Sequence, residues 1–180
     1  MTAPHAASAP ATERGLWVAE TFADTVQGEG PSTGAPAAFI RLSRCNLTCL
    51  PWCDTPYTWD TSRFDLAKES RRTSVAEVLA WALSRPEKLI VISGGEPLMQ
   101  QHAVVPLAQA LADVGRRVEI ETNGTYRPAG ALIEAGVHFN VSPKLANSGM
   151  PEADPAGGTG GLRGRAAPGL QVRRLRGGRP

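Results

Sequence analysis

Cys45, Cys49 and Cys53 lie within nine residues of one another, and they are the only cysteines in the 180-residue chain. Thiolates are soft ligands, and three on one short loop can converge on a single metal centre. Three is one short of the closed tetrahedral set of structural zinc, and an open coordination position is the arrangement used for chemistry. Iron–sulfur clusters are also bound by thiolates, ordinarily four, so three on a cubane leave one iron free for a small ligand. Spacing leaves both readings open. Zinc needs a fourth ligand from His5, His102, His138 or a carboxylate, and no histidine follows at finger-like spacing. A disulfide would strand one thiol, and a chain without a secretory signal suits a reducing compartment.

Other residues could serve chemistry around that loop. Arg41, four residues before the first cysteine, carries a planar fork suited to a carboxylate; its plain alternative is a surface salt bridge. Asp54-Thr55 offers hard oxygen donors of the kind Mg²⁺ prefers, although Thr55 alone reads as a turn residue. Gln27-Gly28-Glu29-Gly30-Pro31 is rich in turn formers and by itself reads as a turn. In Ser93-Gly94-Gly95-Glu96-Pro97, paired glycines at the end of an aliphatic run allow a ligand close to the backbone. Glu119 and Glu121 share one strand face, either as catalytic carboxylates or, on the pattern alone, as a solvated face. Tyr57 and Trp59 read as packing aromatics.

The elements that must position these groups follow from periodicity. Leu16 to Thr25 alternates as a strand, and Ala37 to Leu42 reads as a buried strand feeding the cysteine loop. Ser74-Val75-Ala76-Glu77 is a capping box for a helix running to about Ser84, with Val75, Val78, Leu79 and Ala82 on one face. Leu89-Ile90-Val91-Ile92 is the run of a strand covered on both faces. A second helix spans His102 to Val114, and a strand from Val118 to Thr122 leads to Asn123-Gly124. A short helix from Ala129 to Ala135 precedes a strand from Val137 to Val141, followed by Ser142-Pro143-Lys144. Alternating strands and helices imply parallel crossovers, with ligands at the carboxyl ends of the strands.

Composition bounds the rest. Hydrophobic content of 42% is that of a globular domain, and no apolar run reaches membrane-span length. The net charge of +2 is uneven: residues 1–150 carry 13 Lys/Arg against 15 Asp/Glu, and residues 151–180 carry six Arg against two acids. The excess positive charge therefore belongs to the tail and argues for no nucleic-acid-binding body. Residues 1–14 read as a disordered Ala/Pro-rich leader without an apolar signal region, residues 15–150 as one domain, and residues 151–180 as a Gly/Pro/Arg-rich disordered tail. A cytoplasmic protein that spans no membrane is the expectation.

Taken together, Gln27-Gly28-Glu29-Gly30, Arg41, the three cysteines and the Gly-Gly-Glu-Pro turn resemble the radical S-adenosylmethionine (SAM) enzymes. Within them they resemble the 7-carboxy-7-deazaguanine synthases of queuosine and deazapurine synthesis. The usual pattern is Cys-x-x-x-Cys-x-x-Cys; here the last interval holds Leu50, Pro51 and Trp52, so a bulge must absorb one residue or Cys53 points away. The resemblance implies an α/β fold, a partial (β/α) radical SAM barrel of compact form. It implies a [4Fe–4S] cluster on Cys45, Cys49 and Cys53, with SAM at the free iron beside Trp52, Asp54, Gly95, Ser142, Pro143 and Lys144. Glu121 and Asn123 are further candidates for SAM. Val26, Gln27, Gly28, Arg41 and Ser93 match substrate contacts, and Thr55 matches a magnesium ligand. The implied reaction is a radical ring contraction of 6-carboxy-5,6,7,8-tetrahydropterin to 7-carboxy-7-deazaguanine with loss of ammonia. A flavodoxin- or ferredoxin-type reductant and a homodimer are implied as well. Two alternatives stand beside it: a glycyl-radical activase, against which Gln27 to Gly30 argues, and a non-enzymatic zinc or cluster module.

The resemblance covers roughly residues 19–152 and then stops. The family has further strands where residues 151–180 hold eight Gly and four Pro, a composition that forms no packed strand or helix. The expectation is that the family's C-terminal third is lost, for example through a frame change in a GC-rich gene. An RNA-binding Arg/Gly tail is the alternative, but the aromatics that stack on bases are absent from it.

Overall fold

The aliphatic runs of the sequence form the centre of the sheet. Pro36–Leu42 (β2) and Leu89–Gly94 (β4) pair in parallel, with Ala38 opposite Ile90 and Ile40 opposite Ile92. The computed structural model describes residues 14–50, 52–144 and 170–172. Arg117–Thr122 (β5), His138–Val141 (β6) and Leu170–Val172 (β7) extend the parallel set in turn. On the other side, Gly15–Val26 (β1) and Arg71–Ser74 (β3) add antiparallel strands. The order is β3-β1-β2-β4-β5-β6-β7, an open sheet with β3 and β7 at its edges.

Helices Leu66–Glu69 (α1), Val75–Leu83 (α2), Gln101–Asp113 (α3) and Gly130–Glu134 (α4) fill the connections. The capping box of α2 forms as read: the Glu77 amide donates to the Ser74 hydroxyl, and the Ser74 amide donates to the Glu77 carboxylate at 2.8 Å. One sheet face carries Leu16, Val18, Ile40, Ile92 and Ile120 against Val78, Leu107, Leu111 and Leu132 of the helices. That face is the main core, and its burial is the principal stabilising term. No helix among the described residues is long and apolar enough to cross a membrane.

The opposite face begins apolar and becomes polar. Phe39, Val91 and the Phe22 ring, stacked on Phe39 at 4.9 Å, cover its lower part. Because side chains alternate along a strand, the register then sets one polar row across four strands. Arg41 lies opposite Ser93, Ile92 opposite Ile120, and Glu121 opposite Asn140, which aligns Arg41, Ser93, Glu121 and Asn140.

Two sequence readings change here. The stretch from residue 151 onward, whose composition predicts no strand, contributes the three-residue β7, which pairs in parallel with β6. The leader, apart from Arg14, and the remainder of the tail lie outside the described residues. β3 and α1 were not anticipated: Arg71-Arg72-Thr73-Ser74 has no apolar alternation, and α1 is four residues capped by Asp65, which accepts from the Ala67 amide at 3.1 Å.

Candidate cluster and substrate site

The cysteine loop leaves the carboxyl end of β2 through a backbone that few residues adopt. Arg44 sits at φ +81°, in the left-handed region, and its surroundings hold it there. Its amide donates to the Thr58 carbonyl at 2.7 Å, and its carbonyl accepts from the Glu96 amide at 2.8 Å. Its guanidinium lies 4.7 Å from the Trp17 ring. The β4 turn is pressed against this segment: a Cβ on Gly95 would lie 2.1 Å from the Arg44 carbonyl oxygen, and one on Gly94 2.0 Å from that of Leu42. The paired glycines therefore serve the approach of two backbones, the cysteine loop against the β4 turn.

The extra residue between the second and third cysteines is absorbed. The Cys53 amide donates to the Cys49 carbonyl at 3.0 Å, a single helical turn that brings Cys53 back to the same side. All three thiols are free, pack around Leu47 and line one cavity of about 530 Å³. The Cys45 sulfur accepts from the Leu47 amide at 3.4 Å, and the Cys53 sulfur accepts from Trp59 Nε1 at 3.2 Å. Trp59 is thus more than packing. Burial pushes the Cys45 thiol up to about 11 and raises Cys49 in the same direction. Among the described residues, no three His, Cys, Asp or Glu side chains close on a point that a single ion would occupy. Three soft donors spread around one cavity, two of them already receiving N–H groups, fit a group larger than one ion, as a cubane is.

Most of the residues singled out by sequence meet in this cavity. Arg41, Trp52, Asp54, Thr55, Ser93, Gly95, Glu121, Asn123, Ser142, Pro143 and Lys144 all line it with the cysteines. Arg41 pairs with Glu20 through Nε at 2.7 Å, and Tyr57 donates to the same carboxylate oxygen at 2.6 Å. The salt bridge of the plain reading forms, and Arg41 lines the cavity as well. Glu121 lies among Ser93, Gln27, Glu29 and Arg41, and burial raises its carboxyl above the ordinary range despite the Ser93 bond. The Thr55 hydroxyl is 3.8 Å from the Cys53 sulfur, while its carbonyl accepts from Thr58. The Ser142 amide donates to the Thr122 carbonyl at 2.9 Å, fixing the Ser-Pro-Lys turn, and Lys144 Nζ donates to the Ser142 hydroxyl at 3.1 Å.

Three residues depart from the expectation. Val26, Gln27 and Gly28 do not line the cavity; Val26 is 52% exposed, whereas Gln27 is buried with its side-chain amide engaged by Glu119 and the Glu29 backbone. The solvated-face reading of Glu119 and Glu121 is overturned, because the β1–β2 loop covers β5 and leaves Glu119 only 4% exposed. Sequence reasoning also missed Glu29, Asn46 and Glu96. Glu29 lines the cavity floor. Asn46 accepts from Asn123 at 3.0 Å and donates to Thr125 at 2.9 Å, tying the cysteine loop to the end of β5. Glu96 is fully buried; it accepts from Thr122 Oγ1 at 2.8 Å and from the Asn123 amide at 2.8 Å, locking the β4 turn to β5. The only signal for these was their place in short motifs, which says nothing about which partner is met.

The sequence model of the radical SAM superfamily matches residues 39–150. A 7-carboxy-7-deazaguanine synthase from Hyperthermus butylicus is 44% identical over 141 residues, covering 77% of this chain and 56% of the relative. One from Rhodospirillum rubrum is 43% identical, covering 64% of this chain and 45% of the relative. The crystal structure of QueE from Escherichia coli superposes with a TM-score of 0.58 at 33% identity, over 73% of this chain and 61% of that one. The chain therefore spans about half the length of the curated relatives it matches.

Proposed function

The chain belongs to the radical SAM superfamily, and we propose that within it this protein has the activity of a 7-carboxy-7-deazaguanine synthase. It would convert 6-carboxy-5,6,7,8-tetrahydropterin to 7-carboxy-7-deazaguanine with loss of ammonia, in the cytoplasm. The observation that carries this reading is the single cavity that joins three free thiols to Arg41, Ser93 and Glu121.

Cys45, Cys49 and Cys53 would hold a [4Fe–4S] cluster. Gly95, Asn123, Ser142, Pro143, Lys144 and the Trp52–Asp54 segment would hold SAM, with Lys144 facing its carboxylate. When bound, cluster and SAM supply one-electron chemistry that removes a hydrogen atom from substrate, and the protein positions and shields it. Arg41 offers the terminal nitrogens of its fork to the pterin carboxylate, and Tyr57 and Glu20 hold that fork in place. Ser93 and Glu121 present a hydroxyl and a carboxyl along the same polar row, where they can bond to the pterin ring. The Thr55 hydroxyl is a hard donor at the cavity wall and would be the protein's ligand to Mg²⁺. Val26, Gln27 and Gly28, which do not line the cavity, would bear on substrate only through Glu29, whose amide donates to the Gln27 side chain. A flavodoxin- or ferredoxin-type donor would reduce the cluster, and the working form would be a homodimer.

The test is an anaerobic assay with reconstituted protein, SAM, dithionite and the carboxypterin. Formation of 7-carboxy-7-deazaguanine supports the reading. SAM cleavage with no product from the pterin, with or without Mg²⁺, would leave a radical SAM enzyme of another substrate class.

A further inference from the structure

We infer that Glu119 is a positioning residue: it latches the loop between β1 and β2 as the floor of the substrate cavity and so sets the pterin-binding geometry. The inference rests on the functional reading above and adds a residue that lies outside the cavity lining.

The loop from Gln27 to Ala35 leaves the sheet at the amino-terminal edge of β2, opposite the edge that carries the cysteines. Its neck is closed by backbone bonds, Gln27 amide to Ala35 carbonyl at 2.9 Å and Gly34 amide to Gln27 carbonyl at 2.8 Å. Nothing in that neck fixes where the tip lies against the sheet. Glu119 does. Its Oε2 accepts from Gln27 Nε2 at 3.0 Å and from Asn140 Nδ2 at 2.8 Å, and its Oε1 accepts from the Ser32 hydroxyl. One carboxylate on β5 therefore ties both ends of the loop tip to the inner sheet face and to β6.

The latch reaches the cavity through Gln27. The Gln27 side-chain oxygen accepts from the Glu29 amide at 3.1 Å, and the Glu29 side chain lines the cavity with Arg41, Ser93 and Glu121. The bond to Glu119 also decides which way the Asn140 amide faces, leaving Asn140 Oδ1 buried without a partner against Gly30. Gly30 is at φ +65°, and a Cβ there would be 2.1 Å from that oxygen, so the loop tip fits this arrangement only with glycine. A buried, unpaired acceptor is costly, and it persists because the remaining bonds of the network over-determine its position.

Function and folding are separable here because the cysteine loop and the SAM-side turn lie at the opposite strand ends and make no bond to Glu119. E119A strands the Gln27 and Asn140 amides and frees the tip. E119Q can still accept from both amides on its oxygen and donate to Ser32 through its nitrogen. Both variants, and S32A, are reconstituted anaerobically, and iron content, pterin KM and kcat, and SAM cleavage without pterin are measured. E119A is expected to raise the pterin KM about tenfold or more, with iron content and pterin-independent SAM cleavage unchanged. E119Q should restore most of the KM, and S32A should give a smaller rise. An unchanged pterin KM in E119A at full iron content overturns the inference. So does a parallel loss of iron, SAM cleavage and pterin turnover in E119A with S32A indistinguishable from wild type, which is a purely structural role. Wild-type protein that cleaves SAM but does not turn over the pterin defeats the functional reading first, and the latch to that substrate with it.

Discussion

The residue whose surroundings say most about the metal centre is Trp59, whose indole N–H points at the Cys53 sulfur. Hydrogen bonds to cluster sulfurs stabilise the reduced, more negative state. W59F keeps all three thiols, so it should load iron as the wild type does while its cluster reduction potential falls; potentiometric EPR titration reads both. At the same scale, E20Q should weaken the hold on Arg41, which is bonded to Glu20 at 2.7 Å, and raise the pterin KM with kcat little changed. The cysteines, Arg41, Ser93, Gly95 and Lys144 were legible from the sequence because spacing in short motifs survives folding. Glu119 was not. A charged residue alternating along a strand normally faces water, and only the loop folded over β5 makes it a buried anchor.

Elements place these residues through a few contacts of high consequence. In G95A the new Cβ meets the Arg44 carbonyl, which can move only by dragging Cys45 with it. Overpacking of this kind costs about 1–3 kcal/mol, and iron loading should fall more steeply than the melting temperature. The β1 register shifts against β2 between Phe22 and Thr25, and this bulge offers a pH signature. The Asp24 amide donates to Glu87 at 2.8 Å and holds that carboxyl below its ordinary value of 4.5. A carboxylate whose pKa is depressed on folding contributes stability that is present above the ordinary value and lost as pH falls through the folded one. E87Q should therefore be less stable than wild type near neutrality, and the difference should shrink below about pH 4 in denaturant titrations. Central strands and the helices α2 and α3 were readable from the apolar positions they bury on one face, and the five-residue α4 from the Gly136 that closes it. β3 was not, since Arg71 and Arg72 are exposed and the four residues carry no apolar period.

As a whole, the described residues form an open seven-stranded sheet with one face given to helices and the other carrying the cavity. The division follows from alternation: Ile40, Ile92 and Ile120 turn outward to the helices while Arg41, Ser93 and Glu121 turn inward. A bound cluster would cross-link the cysteine loop, and a group that binds only the folded state raises its stability. Reconstituted protein should accordingly melt at a higher temperature than metal-free protein under anaerobic calorimetry. Cys45, Cys49 and Cys53 would hold a cubane in this cavity, and the residues beside them would hold SAM. Quantifying 5′-deoxyadenosine from reconstituted protein incubated with SAM and dithionite tests this arrangement most directly. Wild-type protein should form 5′-deoxyadenosine, and C53A should form none. A protein with its full complement of iron that leaves SAM intact would contradict this arrangement.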